Sequence, residues 1–216
     1  MTDFSARRTI MVDTQIRPSD VTKYSIIDAM LSVPRETYVP PALIEAAYTG
    51  ENLPIGAGRS LLEPRTFAKM LDALDIQKDE LALDVGAGFG YSAAVMARLA
   101  DAVIVLEEPP FAAEAERLLS EGDVDNAVVI TGDLAQGAAK HGPYDVIMIE
   151  GAVEQVPTAL TDQLKEGGRI AAMFMERHLG VVRIGYRAEG VISWRPIFNA
   201  SAPVLKDFAA PRSFVL

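Results

Sequence analysis

Leu83-Asp84-Val85-Gly86-Ala87-Gly88-Phe89-Gly90-Tyr91 decides how the rest of this chain is read. A short apolar strand, Leu81–Val85, runs into three glycines at alternate positions and then into an alanine-rich helix over Tyr91–Leu99. Glycines permit a tight turn and let a ligand approach the backbone, while the start of the helix offers free N–H groups. The spacing is G-x-G-x-G. The dinucleotide fingerprint is G-x-G-x-x-G, and Tyr91 stands where its last glycine would fall. Taken alone, such a turn also serves as a packing device in many α/β proteins.

Acidic residues on either side narrow the choice. Asp84 precedes the glycines at the mouth of the first strand, where an anion repels a pyrophosphate but suits a cationic ammonium group. Glu107 ends the next apolar strand, Ala102–Leu106, 17 residues past Gly90. A carboxylate there can accept both hydroxyls of a ribose. Gly132-Asp133 follows a third strand, Ala127–Thr131, so a third acid opens onto the same crevice. Each acid singly also suits a loop cap. Together the three fit S-adenosylmethionine better than NAD.

Outward from this core the pattern stays regular. Helices are expected over Thr66–Leu74, Phe111–Leu119 and Pro157–Leu164, and further strands over Tyr144–Ile149 and Arg169–Met175. Strands with continuous apolar runs that alternate with helices indicate a parallel sheet covered on both faces. Beyond Gly180 the helices stop. Val181–Tyr186, Val191–Phe198 and Arg212–Leu216 read as strands, with Gly190 turning a hairpin, so the sheet is expected to end in antiparallel members. Residues 1–64 differ in texture, punctuated by Pro18, Pro34, Pro40, Pro41, Pro54 and Pro64. Ser19 or Asp20 can cap a helix to Ser32 that Pro34 ends, and a second helix is expected over Ala42–Tyr48. Gly50 to Pro64 reads as a long loop, of the kind more often functional than idle. The expected division is 1–64, an N-terminal helical extension with an acceptor-side loop, and 65–216, the catalytic sheet domain, in one compact unit.

The 216 residues include no cysteine, which removes thiol nucleophiles, disulfides, zinc–thiolate sites and iron–sulfur clusters. Thirty acids against 20 bases give a formal charge of −10. Such a chain repels phosphate backbones, so neither nucleic acid nor an anionic membrane is expected as a partner. Met1–Thr14 contains no apolar stretch of signal-peptide length and no segment has the ~20 apolar residues of a membrane span, so a cytoplasmic location is expected. His141 and His178 are isolated and no metal site is expected. Trp194 reads as packing, and Glu114, Glu116 and Glu121 as a solvated helix face.

Several segments resemble the protein-L-isoaspartate O-methyltransferases, over about Met11 to Phe174. They are Val33-Pro34-Arg35-Glu36-Thr37-Tyr38-Val39-Pro40, Ala47-Tyr48, Leu53-Pro54-Ile55-Gly56, the glycine loop with Tyr91-Ser92-Ala93-Ala94, Gly132-Asp133, and Pro157-Thr158-Ala159-Leu160 before Gly167-Gly168. The glycine loop is common to many methyltransferases, whereas the Val-Pro-Arg-Glu and Leu-Pro-Ile-Gly segments are particular to this family. The resemblance implies a Rossmann-like α/β methyltransferase fold with a seven-stranded, mainly parallel sheet. It implies a cofactor site made by Asp84, Gly86, Ala87, Gly88, Tyr91, Glu107, Asp133 and Leu134, binding S-adenosyl-L-methionine and releasing S-adenosyl-L-homocysteine. The implied substrate is an isoaspartyl carboxylate of damaged protein or peptide.

One segment departs from the family. Its loop G-x-G/A-x-T-I-S-x-P here reads Gly56-Ala57-Gly58-Arg59-Ser60-Leu61-Leu62-Glu63-Pro64. The family threonine becomes Ser60, the candidate catalytic residue, and the family's active-site serine becomes Leu62, which cannot donate a hydrogen bond. Ser60 or Arg59 is then expected to contact an acceptor carboxylate. Glu63, Glu150 and Glu154 add acids on the acceptor side, so a different, small-molecule acceptor stays open, as does cofactor binding without isoaspartyl activity.

Overall fold

The computed structural model describes residues 2–176 and 179–210. The expected strand Arg212–Leu216 and His178 lie outside the described residues. Seven strands form the central sheet: β3 (Leu81–Val85), β4 (Ala102–Glu107), β5 (Ala127–Thr131), β6 (Tyr144–Val153), β7 (Leu164–Glu176), β8 (Leu179–Ala188) and β9 (Val191–Asn199). Their order is β5-β4-β3-β6-β7-β8-β9. Pairings from β5 to β7 are parallel, and β8 and β9 return antiparallel. Strands β3, β4 and β6 are buried almost throughout, as their continuous apolar runs require. The chain starts at β3, walks out to β5, then returns to place β6 on the other side of β3. The crevice at the carboxyl ends of β3 and β6 is therefore the topological switch point, where open α/β sheets bind ligands.

Two apolar layers cover the sheet. On one face α3 (Pro64–Leu74) buries Phe67, Met70, Leu71 and Leu74, and α4 (Tyr91–Ala97) is buried along its whole length. Its alanines allow that close approach. On the other face Leu83, Val85, Ile147 and Ile149 pack with Leu160 and Phe208. Helix α5 (Phe111–Glu121) ends the glycine side, and Arg117 pairs with Glu114 and Glu121 on its solvated face. Trp194 packs edge-on against Phe174.

The N-terminal part differs in detail from the sequence reading. Helices α1 (Phe4–Met11) and α2 (Tyr24–Ser32) are present, but α2 starts later than Ser19 or Asp20. Asp20 has a left-handed φ of 65° and ends the 3-10 turn Arg17–Ser19 instead of opening a helix. The segment expected as a helix over Ala42–Tyr48 is a 3-10 turn, Pro41–Ala46, closed by i→i+3 bonds from the Leu43 N–H to the Pro40 carbonyl at 2.8 Å and from the Ala47 N–H to the Ile44 carbonyl at 3.2 Å. Gly50–Pro64 is not a plain loop. It folds into a hairpin of β1 (Leu53–Gly56) and β2 (Arg59–Leu61), with Leu53 opposite Leu61 and Pro54 opposite Ser60. Near the C-terminal half, the helix expected over Pro157–Leu164 is only α6 (Thr158–Thr161), because Leu164 already belongs to β7. Met11, Ile27, Met30 and Leu62 share one apolar cluster with Val95, Met96, Val146 and Ala171, so residues 1–64 contribute to the same core as the sheet.

Arg35 ties these pieces together. It is fully buried, donating from Nε to the Ala47 carbonyl at 2.7 Å and from Nη2 to the Leu62 carbonyl at 2.6 Å. Its guanidinium lies 4.8 Å from the Tyr91 ring centroid. One side chain thus joins the turn after Pro34, the segment before the hairpin and the exit from β2 to the helix of the glycine loop. Arg35→Ala should cost about 3 kcal/mol, two charge-assisted hydrogen bonds at ~1.5 kcal/mol each, read as a lower denaturant midpoint.

Candidate functional site

Sheet register brings the acids to one level. Val85 pairs with Leu106 on one side and Ile149 on the other, so Gly86, Glu107 and Glu150 follow side by side. The Gly86 N–H donates to the Leu106 carbonyl at 2.9 Å, splicing the loop into β4. Gly86, Gly88 and Gly90 all have positive φ, which is why side-chain-bearing residues are excluded there. Asp84 is fully buried one residue before the end of β3. Its Oδ2 accepts from Ser92 Oγ at 2.6 Å, and its Oδ1 has no partner among the described residues. Glu107 is also fully buried and accepts from the Gly88 N–H at 2.6 Å and the Glu108 N–H at 2.8 Å. Glu150 is buried too, with Oε1 unpartnered among the described residues.

Burial raises the Asp84 pKa to about 7; the Ser92 hydrogen bond opposes the rise, the Glu107 charge adds to it and Arg59 opposes it. Burial also lifts the Glu150 carboxyl well above its ordinary range. The Asp84 charge reinforces that rise against Arg35 and Arg59. Desolvation favours the neutral form of an acid, so both groups lean towards holding a proton.

The hairpin closes over the glycine loop. Along β2 the side chains alternate, with Arg59 and Leu61 buried and Ser60 on the opposite face, half-buried. Arg59 reaches down to the loop. Its Nη1 and Nη2 donate to the two oxygens of Glu107 at 3.0 Å each, and Nη2 also donates to the Gly86 carbonyl at 2.5 Å. Its guanidinium lies 5.5 Å from the Phe111 ring centroid. Beside it opens a cavity of about 370 Å³ bounded by Gly58, Glu108, Phe111, Leu134 and Lys206. A larger cavity, about 700 Å³, lies among Thr37, Lys78, Arg98 and Asn126, away from the glycine loop.

The other residues singled out in the sequence fall in distinct places. Ala87 is buried in the loop, and Leu134 packs 3.5 Å from where a Cβ on Gly86 would stand. Tyr91 points inward against Phe67 and Tyr38, its hydroxyl unpartnered among the described residues. Asp133 is exposed and caps a 3-10 turn through the Ala135 N–H at 2.8 Å. Leu62 is 1% exposed and belongs to the apolar core. Glu63 accepts from Thr66 Oγ1 at 2.6 Å at the start of α3, and Glu154 accepts from the Ala210 N–H. Only Glu150 of the three acceptor-side acids stands with the strand-end acids. Its signal was available: it ends the apolar run Val146–Ile149 as Glu107 ends its own. Nothing in the sequence pointed to the pairing of Arg59 with Glu107. His141 lies on an exposed turn, and no cluster of metal-ligating side chains occurs among the described residues. No helix among them is long and apolar enough to cross a membrane.

Comparison with known proteins gives a consistent result. The family described as Protein-L-isoaspartate(D-aspartate) O-methyltransferase (PCMT) matches residues 6–194. A protein-L-isoaspartate O-methyltransferase of Syntrophus aciditrophicus is 37% identical over 180 residues, covering 83% of each chain. One from Vibrio campbellii is 35% identical over 176 residues, covering 81% of this chain and 85% of the relative. In fold, the chain resembles a putative protein-L-isoaspartate O-methyltransferase from Plasmodium falciparum solved with S-adenosyl-L-homocysteine. That match has a TM-score of 0.79 and 21% identity, over 95% of this chain and 99% of that one.

Two outcomes follow from the burial pattern. Leu62→Ser places a hydroxyl in the apolar cluster and removes a packed side chain, and should lower stability by about 2–5 kcal/mol in denaturant titration. The folded protein holds the Asp84 pKa above that of the unfolded chain. Its contribution is fully present below about pH 4 and is lost as pH rises through about 7. Asp84→Asn should therefore flatten the pH dependence of Tm over that window and raise Tm at pH 8.

Proposed function

Because this chain belongs to the protein-L-isoaspartate(D-aspartate) O-methyltransferase family, we propose that it methylates the free carboxylate of isoaspartyl residues in damaged protein or peptide. S-adenosyl-L-methionine is the donor and S-adenosyl-L-homocysteine the product. The family consists of S-adenosylmethionine-dependent O-methyltransferases, and the cofactor, when bound, supplies an electrophilic methyl group on a sulfonium. The observation that carries the reading is the level arrangement of Gly86, Glu107 and Glu150 beside Asp84 at the switch point.

The residues present fit that cofactor. Above the loop, a Cβ on Gly86 would meet the tip of Arg59 at 2.7 Å and one on Gly88 would meet the tip of Ile55. Flexible side chains of the hairpin, not fixed backbone, fill the cradle. The unpartnered Oδ1 of Asp84 suits an ammonium group, Glu107 suits a ribose diol, and Phe111 with Leu134 lines the adjoining cavity as a nucleobase requires. Gly86, Ala87, Gly88 and the buried Tyr91 shape the loop, and Asp133 holds the turn that carries Leu134.

A carboxylate acceptor is already a nucleophile and needs no general base. The protein's part is alignment, which for well-oriented groups is worth ~7–11 kcal/mol of barrier. Glu150 does not repel such an acceptor as a fully ionised acid would, since burial favours its protonated form. Ser60 is the hydroxyl of the hairpin assigned to the acceptor side. The activity belongs in the cytoplasm, and the charge of −10 argues against a nucleic-acid partner.

Calorimetry with S-adenosyl-L-homocysteine, followed by an isoaspartyl-peptide assay with labelled donor, tests the reading. The expected result is binding, together with a base-labile, methanol-releasing label above that of the matching aspartyl peptide. Binding without such label overturns the assigned acceptor. Label on small molecules only would favour the other acceptor class.

A further inference from the structure

Two buried arginines stand at the crevice, and they are held differently. Arg35 donates to the carbonyls of Ala47 and Leu62, which no ligand needs. Arg59 is held by Glu107, the carboxylate assigned above to the ribose, and this inference rests on that assignment. A carboxylate has about four acceptor positions. On Glu107 they are taken by Arg59 Nη1, Arg59 Nη2, the Gly88 N–H and the Glu108 N–H. The last two belong to the glycine loop and the end of β4, which the sheet fixes. Arg59 belongs to a two-stranded hairpin whose turn residues Gly56 and Gly58 have open space around them. A diol can therefore reach Glu107 only by displacing Arg59.

Displacement leaves a cation without its counterion, and its Nε has no partner among the described residues even beforehand. An uncompensated buried charge is strongly unfavourable. An incoming carboxylate on the hairpin side relieves it, and the guanidinium fork matches a carboxylate in two parallel hydrogen bonds. Other candidates for that contact are poorly placed. Leu62 is in the core, Glu150 carries no positive charge to replace a lost counterion, and Ser60, on the other face of β2, offers a single hydroxyl and no two-pronged contact.

We propose that Arg59 is an exchange residue, bound to Glu107 until the cofactor's ribose takes that carboxylate and then paired with the carboxylate of the acceptor. Binding is thereby ordered, cofactor first, and the site selects acceptors that carry a carboxylate. Arg59 does no bond-making chemistry. It binds and positions.

Arg59→Met and Arg59→Lys test the exchange through calorimetry with S-adenosyl-L-homocysteine and steady-state kinetics on an isoaspartyl peptide. Arg59→Met removes the competitor, so the homocysteine product should bind at least tenfold tighter. The peptide KM should rise at least tenfold while kcat changes less than threefold. Arg59→Lys keeps the charge without the fork, and should bind the product about threefold tighter and recover part of the KM. In the wild type, peptide binding should be measurable only with the product present. Equal or weaker product binding in both variants overturns the exchange, as does an unchanged peptide KM. Should Arg59→Met not fold, the same two readings on Arg59→Lys decide. Absence of product binding by the wild type and both variants overturns the cofactor reading itself, and the exchange with it. Binding that is equal across the three overturns the exchange alone.

Discussion

Five ionisable groups are buried together at the carboxyl ends of β3, β4 and β6, and the surrounding structure is organised by the need to compensate them. Asp84, Glu107 and Glu150 come from three neighbouring strands, and Arg35 and Arg59 come from the segment that precedes the sheet. Buried ions are tolerated only when paired or hydrogen-bonded. Glu107 meets the requirement with two backbone donors and a guanidinium fork. Arg35 meets it in part, with two carbonyls and the face of Tyr91, while its Nη1 has no partner among the described residues. Asp84 has a single hydroxyl and Glu150 retains a free oxygen, and for these two the pKa rises instead. The result is a site that stays poised because part of its polarity is unsatisfied.

That requirement explains the irregular N-terminal segment. Its prolines and short 3-10 turns look like poor structure-forming sequence, yet they lead the chain over the open end of the sheet and deliver Arg35 and the hairpin to it. Arg35 acts as the clasp and Arg59 as the contact with the glycine loop. The departure from the family's loop motif acquires a structural meaning here. Leu62 turns into the apolar core, and three positions earlier Arg59 is the hairpin side chain that reaches the glycine loop, bonded to Glu107 and the Gly86 carbonyl.

Much of the fold was legible in the sequence. Leu81–Val85, Ala102–Leu106 and Tyr144–Ile149 are apolar runs interrupted only by Asp84 and Asp145, and a strand buried on both faces has little choice of composition. The strand-end acids were legible for the same reason, since a charge that terminates an apolar run marks the point where the strand leaves the core. The hairpin was not legible. Its strands are four and three residues long, one contains Pro54, and their pairing depends on the sheet beneath them. Asp20 and the Pro41–Ala46 turn depart from the local capping pattern, Asp20 because its left-handed backbone ends one turn instead of opening a helix.

The sequence by itself determined the parallel sheet, the glycine turn and the acids at its rim, because burial on two faces and positive φ at tight turns leave few permissible residue types. The tertiary structure alone decided which charges face one another. Arg59 and Glu107 are 48 positions apart, and no local pattern encodes their meeting. It arises when the hairpin folds back over the switch point and the buried Arg59 guanidinium meets the two oxygens of the buried Glu107 carboxylate with its two parallel donors.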